Sequence, residues 1–515
     1  MTKRFNTAGP CRPDLHYMLP AERRLPEARA LVEQMAYFVV HAPRQAGKTT
    51  ALRTLADALT TEGRHAALLV SMEVGQPFAD DPGAAEAAVL DSWRGSAEAR
   101  LPQELQPPAW PSAAPGARLG AALAHWARAC PRPLVLFIDE IDALQDQALV
   151  AVLRQLRSGY PDRGRNFPAS VALIGLRDVR DYKVTADAKH RLGTASPFNI
   201  KTESLSLRDF TEEELGELYA QHTVDTGQAF APDAIQRSFA ITRGQPWLVN
   251  ALARQCVEVL VPDRSLTIEL RRVEEARAIL VERQDTHLDS LAERLREERV
   301  RAIIEPILAG DVLPSLPPDD LRYVEDLGLV RRTNGSVAIA NELYADVIPT
   351  ALSYITRASM PALEPAWLGA DGAIDFDALL QSFLDFWRAH AEALLGTAPY
   401  HEIAPHLVLM AFLHRVVNGG GSIEREYAVG TGRMDLLLRW RAQRLAIELK
   451  IWRDGRADPV DAGLAQLERY MDRLGVDCGW LVIFDRRTSA PPLPARVSHR
   501  RTTTASGGAA TIVRA

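Results

Sequence analysis

The sequence predicts an α/β protein with two chemical centres: a mostly parallel sheet first, and a second α/β unit after it. Three observations carry this. The apolar run Tyr37-Phe38-Val39-Val40 leads into Ala42-Pro43-Arg44-Gln45-Ala46-Gly47-Lys48-Thr49-Thr50 and then a helical stretch, Ala51 to Leu59. A second apolar run, Leu134 to Ile138, ends in Asp139-Glu140. Far downstream, a strand carrying Asp435 is followed by Leu445-Ala446-Ile447-Glu448-Leu449-Lys450.

Strand, tight loop, Gly-Lys-Thr and helix form the phosphate-binding loop arrangement. Backbone N–H groups of residues 43–50, at the positive end of the following helix, surround the phosphates. Pro43, Arg44, Gln45, Ala46, Gly47, Lys48, Thr49 and Thr50 are therefore the candidate nucleotide-binding residues. Lys48 reaches the outer phosphates, and the Thr49 hydroxyl ligates Mg²⁺. Ala42 stands where the usual pattern has its first glycine, a position that often needs freedom at φ. The run ending in Asp139-Glu140 is the Walker B pattern: Asp139 holds Mg²⁺, and Glu140 polarises the attacking water as the catalytic carboxylate. ATP and Mg²⁺ are the expected cofactors.

At 515 residues the chain is long enough for several domains. Charged residues at 24% and hydrophobic residues at 47% are those of a globular protein. A net charge of -6 excludes a chain that binds nucleic acid through bulk charge, so such binding must use local basic patches. Cys11, Cys130, Cys256 and Cys478 lie too far apart for a metal knuckle or a disulfide framework. No apolar run reaches membrane-spanning length and no signal peptide opens the chain, so no membrane partner and a reducing cytoplasm are expected.

In chain order, a non-helical lead-in includes Tyr17 and Met18, which are placed either to cover a base or to strap the domain surface. Leu25 to Met35 reads as a helix, and Ala66 to Val70 as a strand. Gly75 to Arg118, rich in alanine and proline, reads as a mobile insertion with one helix near Ala84–Trp93. Leu119 to Ala129 is helical, Val171 to Leu176 is a buried strand, and a last strand lies near Phe198–Leu205. Strands alternating with helices imply a sheet covered on both faces, with ligands at the strands' carboxyl ends.

From Leu207 the pattern is helical, with a capping box from Thr211 to Glu214 and a turn, Gly244-Gln245-Pro246, before an apolar helix. Asp289 to Leu308 is a further helix. Residues 318–339 read as helix, strand, Asn334-Gly335 turn and strand, a winged-helix pattern. Its acids Asp319, Asp320, Glu325 and Asp326 favour a structural or regulatory unit over a DNA reader using Arg331 and Arg332. A Pro- and Gly-bearing stretch, 358–374, reads as a linker.

In the second centre, Asp435 lies on one strand, and Glu448 and Lys450 lie two apart on the next, facing one side. Asp435 and Glu448 can share a divalent metal through oxygen ligands, Mg²⁺ with Mn²⁺ as the alternative. Lys450 then orients water or stabilises the transition state, as phosphodiester cleavage needs. Glu426 on the preceding strand is an additional ligand candidate, and Glu402 before the helix at Pro405–Val417 another acid. Gln466 and Tyr470 project together from a helix. After the strand Gly479–Asp485 the tail is polar, with Ala510 to Val513 as a last edge strand. The bland alternative is a half-exposed strand whose polar face happens to be Glu and Lys.

The first part resembles bacterial and archaeal AAA-type ATPases of the signal-transduction branch, through Phe5–Pro10, His41–Thr50, Ile138–Glu140 and Gly244–Pro246. The last part resembles a PD-(D/E)xK nuclease domain of the RecB-like kind, through Asp435, Glu448 and Lys450 with Gln466 and Tyr470 as the accessory pair. The resemblance implies a P-loop NTPase core over 1–206, a helical lid over 207–288, a winged helix over 289–357, a linker over 358–374 and a restriction-endonuclease-like α/β domain over 375–515. It implies Arg177 as a sensor of the γ-phosphate, while Arg191 occupies the place of an arginine finger in some relatives. The implied function is an ATPase that regulates a metal-dependent nuclease acting on DNA, or on RNA, in defence against foreign DNA. The alternative is an ATP-dependent scaffold or DNA-binding regulator with an inactive nuclease fold. A helicase fits less well, since the chain has a single phosphate loop. Nucleotide and nucleic acid are the expected partners, and a homo-oligomer is a further one to test.

Overall fold

The computed structural model describes residues 3–20, 23–176, 200, 202–283, 294–309, 317–333, 335–359, 365–397, 404–417, 421–426 and 435–515. The chain divides into two compact units, residues 1–280 with 325–328, and residues 281–324 with 329–515.

The first unit is built on α1 (Pro26–Glu33), β1 (Tyr37–His41), α2 (Lys48–Thr61), β2 (Ala66–Ser71), α3 (Pro82–Arg100), α4 (Arg118–Ala129), β3 (Leu134–Asp139), α5 (Asp146–Gly159), β4 (Ser170–Gly175) and β5 (Ser204–Ser206). The strands form one parallel sheet in the order β2-β3-β4-β1-β5. Alternation along β1 sends Phe38 and Val40 to one face and Tyr37 and Val39 to the other. Phe38 and Val40 pack with Leu31 of α1 and Leu52 and Leu55 of α2. Tyr37 and Val39 join Trp93, Leu123, Trp126 and Leu153 of α3, α4 and α5. Both faces are covered, which is why these strands are continuous apolar runs.

The stretch from Gly75 to Arg118 is part of this core, not an insertion on it. Helix α3 runs 19 residues and starts on Asp81, whose carboxylate accepts the Ala84 N–H. The proline-rich segment after it is a strap held by tryptophans. Trp126 Nε1 donates to the Leu105 carbonyl at 3.0 Å, Trp110 Nε1 donates to the Leu90 carbonyl at 3.1 Å, and the Arg94 guanidinium lies 4.7 Å above the Trp110 ring. Proline spacing hid this, because the buried Leu101 and Leu105 and the partly buried Trp110 follow no helical or strand period.

The helices that follow are α6 (Glu212–Thr226), α7 (Pro232–Thr242), α8 (Pro246–Arg254), a π-helical turn at Gln255–Leu260, and α9 (Leu270–Arg283). Thr211 and Glu214 form the expected capping box. The lead-in is a strap docked on these helices. Tyr17 is buried, its ring 4.9 Å from Phe5 and 5.7 Å from His222, with its hydroxyl donating to Asp225 at 3.1 Å. Of the two placements open to Tyr17, the strap is therefore observed, and the Met18 N–H donates to Gln221.

The second unit holds α10 (Glu298–Ala309) and most of α11 (Pro318–Asp326), then the hairpin β6 (Val330–Thr333) and β7 (Ser336–Ile339). After these come α12 (Glu342–Ser359), α13 (Phe376–Thr397) and α14 (Ala404–Val417). Its larger sheet uses β8 (Gly421–Glu426), β9 (Asp435–Trp440), β10 (Gln443–Trp452), β11 (Cys478–Asp485), β12 (Ser498–Thr503) and β13 (Ala509–Arg514), with α15 (Val460–Leu474) packed on β10 and β11. The order is β12-β13-β11-β10-β9-β8, and it is mixed: β10–β11 and β11–β13 are parallel, the rest antiparallel. Strand β13 is therefore interior, not the expected edge, and the edge is β12, made from the polar tail. Its exposed residues, Ser498 to Arg501, are what made it look unstructured. Within the presumed linker, Trp367 and Ile374 are buried, and Ile374 exchanges hydrogen bonds of 2.7 and 2.8 Å with the Gln443 amide.

Candidate nucleotide site and carboxylate–lysine centre

The loop between β1 and α2 has its left-handed residues at Gln45 (φ 58°) and Gly47 (φ 87°), while Ala42 has no positive φ. Alanine at the first position of the pattern is therefore unstrained, and its N–H donates to the Gly175 carbonyl at 3.4 Å. The glycine requirement falls on Gly47, where a Cβ would also stand 3.2 Å from Arg24 Nη1. Lys48 Nζ donates to the carbonyls of Ala42 (2.7 Å) and Pro43 (2.9 Å), which folds the ammonium back over the loop. Burial pulls its pKa down, against the carboxylates of Asp139, Asp142 and Glu140.

Strand β4 separates β1 from β3, and the carboxyl ends of these strands meet at one edge. The Thr49 hydroxyl donates to Asp139 Oδ2 at 2.7 Å, bringing the two expected Mg²⁺ groups together. Asp139 is buried. The Glu140 backbone is left-handed (φ 54°), and its N–H donates to Asp139 Oδ1 at 3.0 Å. That turn sends the Glu140 side chain to solvent at the rim. Desolvation by the surrounding protein, then repulsion from Glu73, Asp139 and Asp142, raises its pKa, the direction that suits a group taking a proton. The Cys11 N–H donates to Thr50 Oγ1 at 3.0 Å, so the lead-in reaches the start of α2 at Cys11. Arg177 and Arg191 lie outside the described residues.

Arg24 carried no sequence signal, since it belongs to no motif. It is buried, with Nη2 donating to the Ala46 carbonyl (2.8 Å) and Nε to the Arg208 carbonyl (2.7 Å). Its guanidinium lies 4.8 Å above the Phe210 ring. Burial pulls its pKa down to about 10, so it stays a cation at neutral pH. Phe210 in turn meets the Gly244-Gln245-Pro246 turn: its N–H donates to the Gly244 carbonyl at 2.9 Å. A Cβ on Gly244 (φ 78°) would come 1.9 Å from the Phe210 carbonyl oxygen. Gly227 is left-handed too (φ 79°), with nothing within 4 Å of a Cβ. We expect Gly227→Ala to cost about 1 kcal/mol and Gly244→Ala about 3 kcal/mol or more, because backbone must move only in the second. At about 2–4 °C per kcal/mol, thermal unfolding separates them by roughly 4–8 °C. Equal melting points would show that the Phe210 contact yields freely.

In the second unit, β10 places Ala446, Glu448 and Lys450 toward α15, and Ala446 packs in one cluster with Leu467, Tyr470 and Leu481. Glu448 is fully buried, and neither carboxylate oxygen has a hydrogen-bond partner. Lys450 Nζ stands 2.5 Å from Glu448 Oε1 as an ion pair. The pairing of β9 with β10 ends at Ile447 opposite Leu436, so Asp435 is one step further, at the register position of Glu448. Glu426 pairs with Asp435 across β8 and β9. The three acids occupy one row across three strands; Asp435 and Glu426 are described by backbone only. Among the described residues, no three His, Cys, Asp or Glu side chains converge as a metal cluster. Gln466 Oε1 is buried without a partner, whereas Tyr470 is a core residue. Glu402 lies outside the described residues.

His406 was missed, although a histidine inside the apolar run Ala404 to Leu413 was a signal. Its ring is buried 5.7 Å from Phe484, with neither nitrogen hydrogen-bonded. Burial, then Lys450 and Arg453, pushes its pKa down to about 3.

Residues 33–182 match a family described as an AAA domain. No curated protein matches the sequence. Among solved structures, the chain is similar to a Walker-type ATPase of Pyrococcus abyssi (12% identity, 67% of this chain and 99% of that one, TM-score 0.49). It is also similar to the RuvB Holliday junction branch migration motor of Thermotoga maritima (17%, 63% and 92%, 0.34). A third is the ORC1 protein of Aeropyrum pernix, solved in complex with DNA (15%, 67% and 96%, 0.35). The matched span contains the phosphate loop, Asp139 and Glu140, so this part of the chain is an AAA-type P-loop ATPase domain, for which ATP with Mg²⁺ is the implied ligand. No helix among the described residues is long and apolar enough to cross a membrane.

Proposed function

We propose that the AAA-type ATPase domain governs a metal-dependent phosphodiester-cleaving centre at Glu448 and Lys450 that acts on nucleic acid, DNA before RNA. At the nucleotide site, Lys48 and the loop N–H groups hold the phosphates, Thr49 and Asp139 hold Mg²⁺, and Glu140 takes the proton of the attacking water. Arg177 is retained as the γ-phosphate sensor.

The observation that carries the second half is Glu448. A fully buried carboxylate is costly unless cations meet it; Lys450 stands at Oε1, and Oε2 is left without a partner, open to a second cation. Asp435 and Glu426 at adjoining register positions supply the further oxygen ligands that Mg²⁺ or Mn²⁺ requires. Such an ion would neutralise phosphate charge and acidify water. Lys450 steadies the negative charge that builds as the water oxygen bonds to phosphorus and the leaving oxygen departs. Gln466, with its unpartnered oxygen, is placed on α15 to position water or strand. A soluble switch in defence against foreign DNA, working as a monomer or homo-oligomer, is the setting this chemistry fits.

A second reading has its own observation. Lys450 already neutralises Glu448 at 2.5 Å, as a nuclease-like fold kept only for binding would require. The test is to incubate the full chain with single- and double-stranded DNA and RNA in Mg²⁺ or Mn²⁺, with and without ATP. Cleavage that changes by about 5-fold or more with ATP is expected, since couplings of about 1–3 kcal/mol are typical. Cleavage indifferent to ATP removes the switch. ATP turnover without cleavage favours the binding-only fold.

A further inference from the structure

A cavity of about 580 Å³ lies between the lead-in and the helices that follow the parallel sheet. Its floor is aromatic and buried: Phe5, Tyr17 and His222, with ring centroids 4.9 to 5.7 Å apart. The polar atoms of the floor are already met. The Tyr17 hydroxyl lies between Asp225 and His222 Nδ1, and His222 Nε2 is 3.1 Å from Gln228 Oε1. A further wall, Val257 and Glu258, belongs to the π-helical turn, which the Val261 N–H closes on the Cys256 carbonyl at 2.9 Å. Such turns are rare and recur at functional sites.

The rim carries the charge. Lys3 and Arg4 come from the lead-in, and Arg264 from the segment before α9. Backbone bonds set the first two in place. The Lys3 N–H donates to Asp225 Oδ2 at 3.0 Å, and the Arg4 N–H and carbonyl bond Leu15 and Tyr17 at 3.0 and 3.2 Å. Among the described residues, the side chains of Lys3 and Arg4 have no hydrogen-bond or ion-pair partner. Arg264 Nη1 meets neutral groups, Gln228 Oε1 at 2.8 Å and His222 Nε2 at 3.4 Å. Of the two rim acids, Glu258 is held by Arg254 at 2.8 Å, and Asp225 by the Tyr17 hydroxyl and the Lys3 N–H. This is not the nucleotide site. Helix α6 starts beside Phe210, which meets Arg24 at the phosphate loop, and it reaches the cavity at its far end, 15 residues or about 22 Å on.

We propose that this cavity binds a small phosphorylated molecule bearing hydroxyl groups, a sugar phosphate or a nucleotide. Its volume falls among those of small-molecule sites, about 300–1,000 Å³. Two guanidinium groups from separate segments match phosphate oxygens in pairs, and Lys3 adds a third charge. Asp225 and Glu258 keep lone pairs for hydroxyl donors, which an inorganic anion would leave unused. Phe5 and Val257 offer apolar surface to the rest of the ligand. The negative end of α6 opposes an anion by less than one charged hydrogen bond favours it. The site would stand whether or not Glu448 and Lys450 cleave nucleic acid.

Calorimetric titration of the full chain with ribose 5-phosphate and with AMP tests this, the phosphate loop being filled beforehand with Mg-ADP. One-to-one binding of at least one of them is expected. Arg4→Gln and Arg264→Gln should each weaken it by about 10-fold, as loss of one charged hydrogen bond does. Arg4→Gln should keep the wild-type melting transition, because the side chain has no partner to lose. Weakening in either variant supports the site. Binding of ribose 5-phosphate, with or without AMP, then assigns a sugar phosphate, and binding of AMP alone assigns a nucleotide. Affinity weaker than about 1 mM for both ligands overturns the site. So does binding that neither variant changes, which would put the ligand elsewhere.

Discussion

Lys48→Ala is expected to lower ATP turnover by about 10²- to 10³-fold, the usual cost of removing one preorganised charge from a phosphoryl-transfer site. The ammonium is poised for this, folded onto the carbonyls of Ala42 and Pro43 in a buried position where its charge is disfavoured. Triphosphate oxygens would meet it better than two neutral carbonyls do, and in a low-dielectric site the gain is large. Folding should be nearly unaffected, because the lost partners are carbonyls of the loop itself. Phosphate release under saturating ATP, with a fluorescent nucleotide to follow binding, measures the effect. Turnover within about 3-fold of wild type would place hydrolysis elsewhere.

The second large effect concerns Glu448 and Lys450. Lys450→Ala alone is a poor probe, because it strands a fully buried carboxylate, and breaking a buried pair costs about 3–5 kcal/mol. Replacing both charges at similar volume, Glu448→Gln with Lys450→Met, removes that penalty and should leave the melting transition close to wild type. Nucleic-acid cleavage should then fall by about 10³-fold or more, the order seen when groups that act as a unit are lost. ATP turnover should be retained. Cleavage at the wild-type rate in a folded double variant would sink the assignment of this pair.

The loop between β1 and α2 and the acid at the end of β3 were legible because each is a run of residues adjacent in sequence, and the fold brings Thr49 and Asp139 within hydrogen-bond distance. The doubt raised by Ala42 dissolved because the left-handed positions are Gln45 and Gly47. What stayed hidden depends on partners distant in sequence. Arg24 acquires its place only when Ala46, Arg208 and Phe210 surround it. The prolines around Leu105 mask a core strap, since the tryptophan that holds it lies 21 positions away. The interior place of β13 follows from its parallel pairing with β11, which no local pattern announces. The carboxylate–lysine centre is intermediate: the Glu-x-Lys spacing showed one face of one strand, and the row with Asp435 and Glu426 emerged only from register.

Arg24 also has a thermodynamic consequence. One cation bonds the phosphate loop at Ala46 and the segment that leads into α6 at Arg208. Its free energy therefore belongs jointly to both. Whatever factor a bound nucleotide contributes toward docking those helices, docking them returns to nucleotide affinity, because linkage between two equilibria is symmetric. The ceiling on that factor is the difference in how well this guanidinium is satisfied in the two arrangements. Anything that displaced those helices would, by the same rule, change nucleotide affinity without touching the nucleotide.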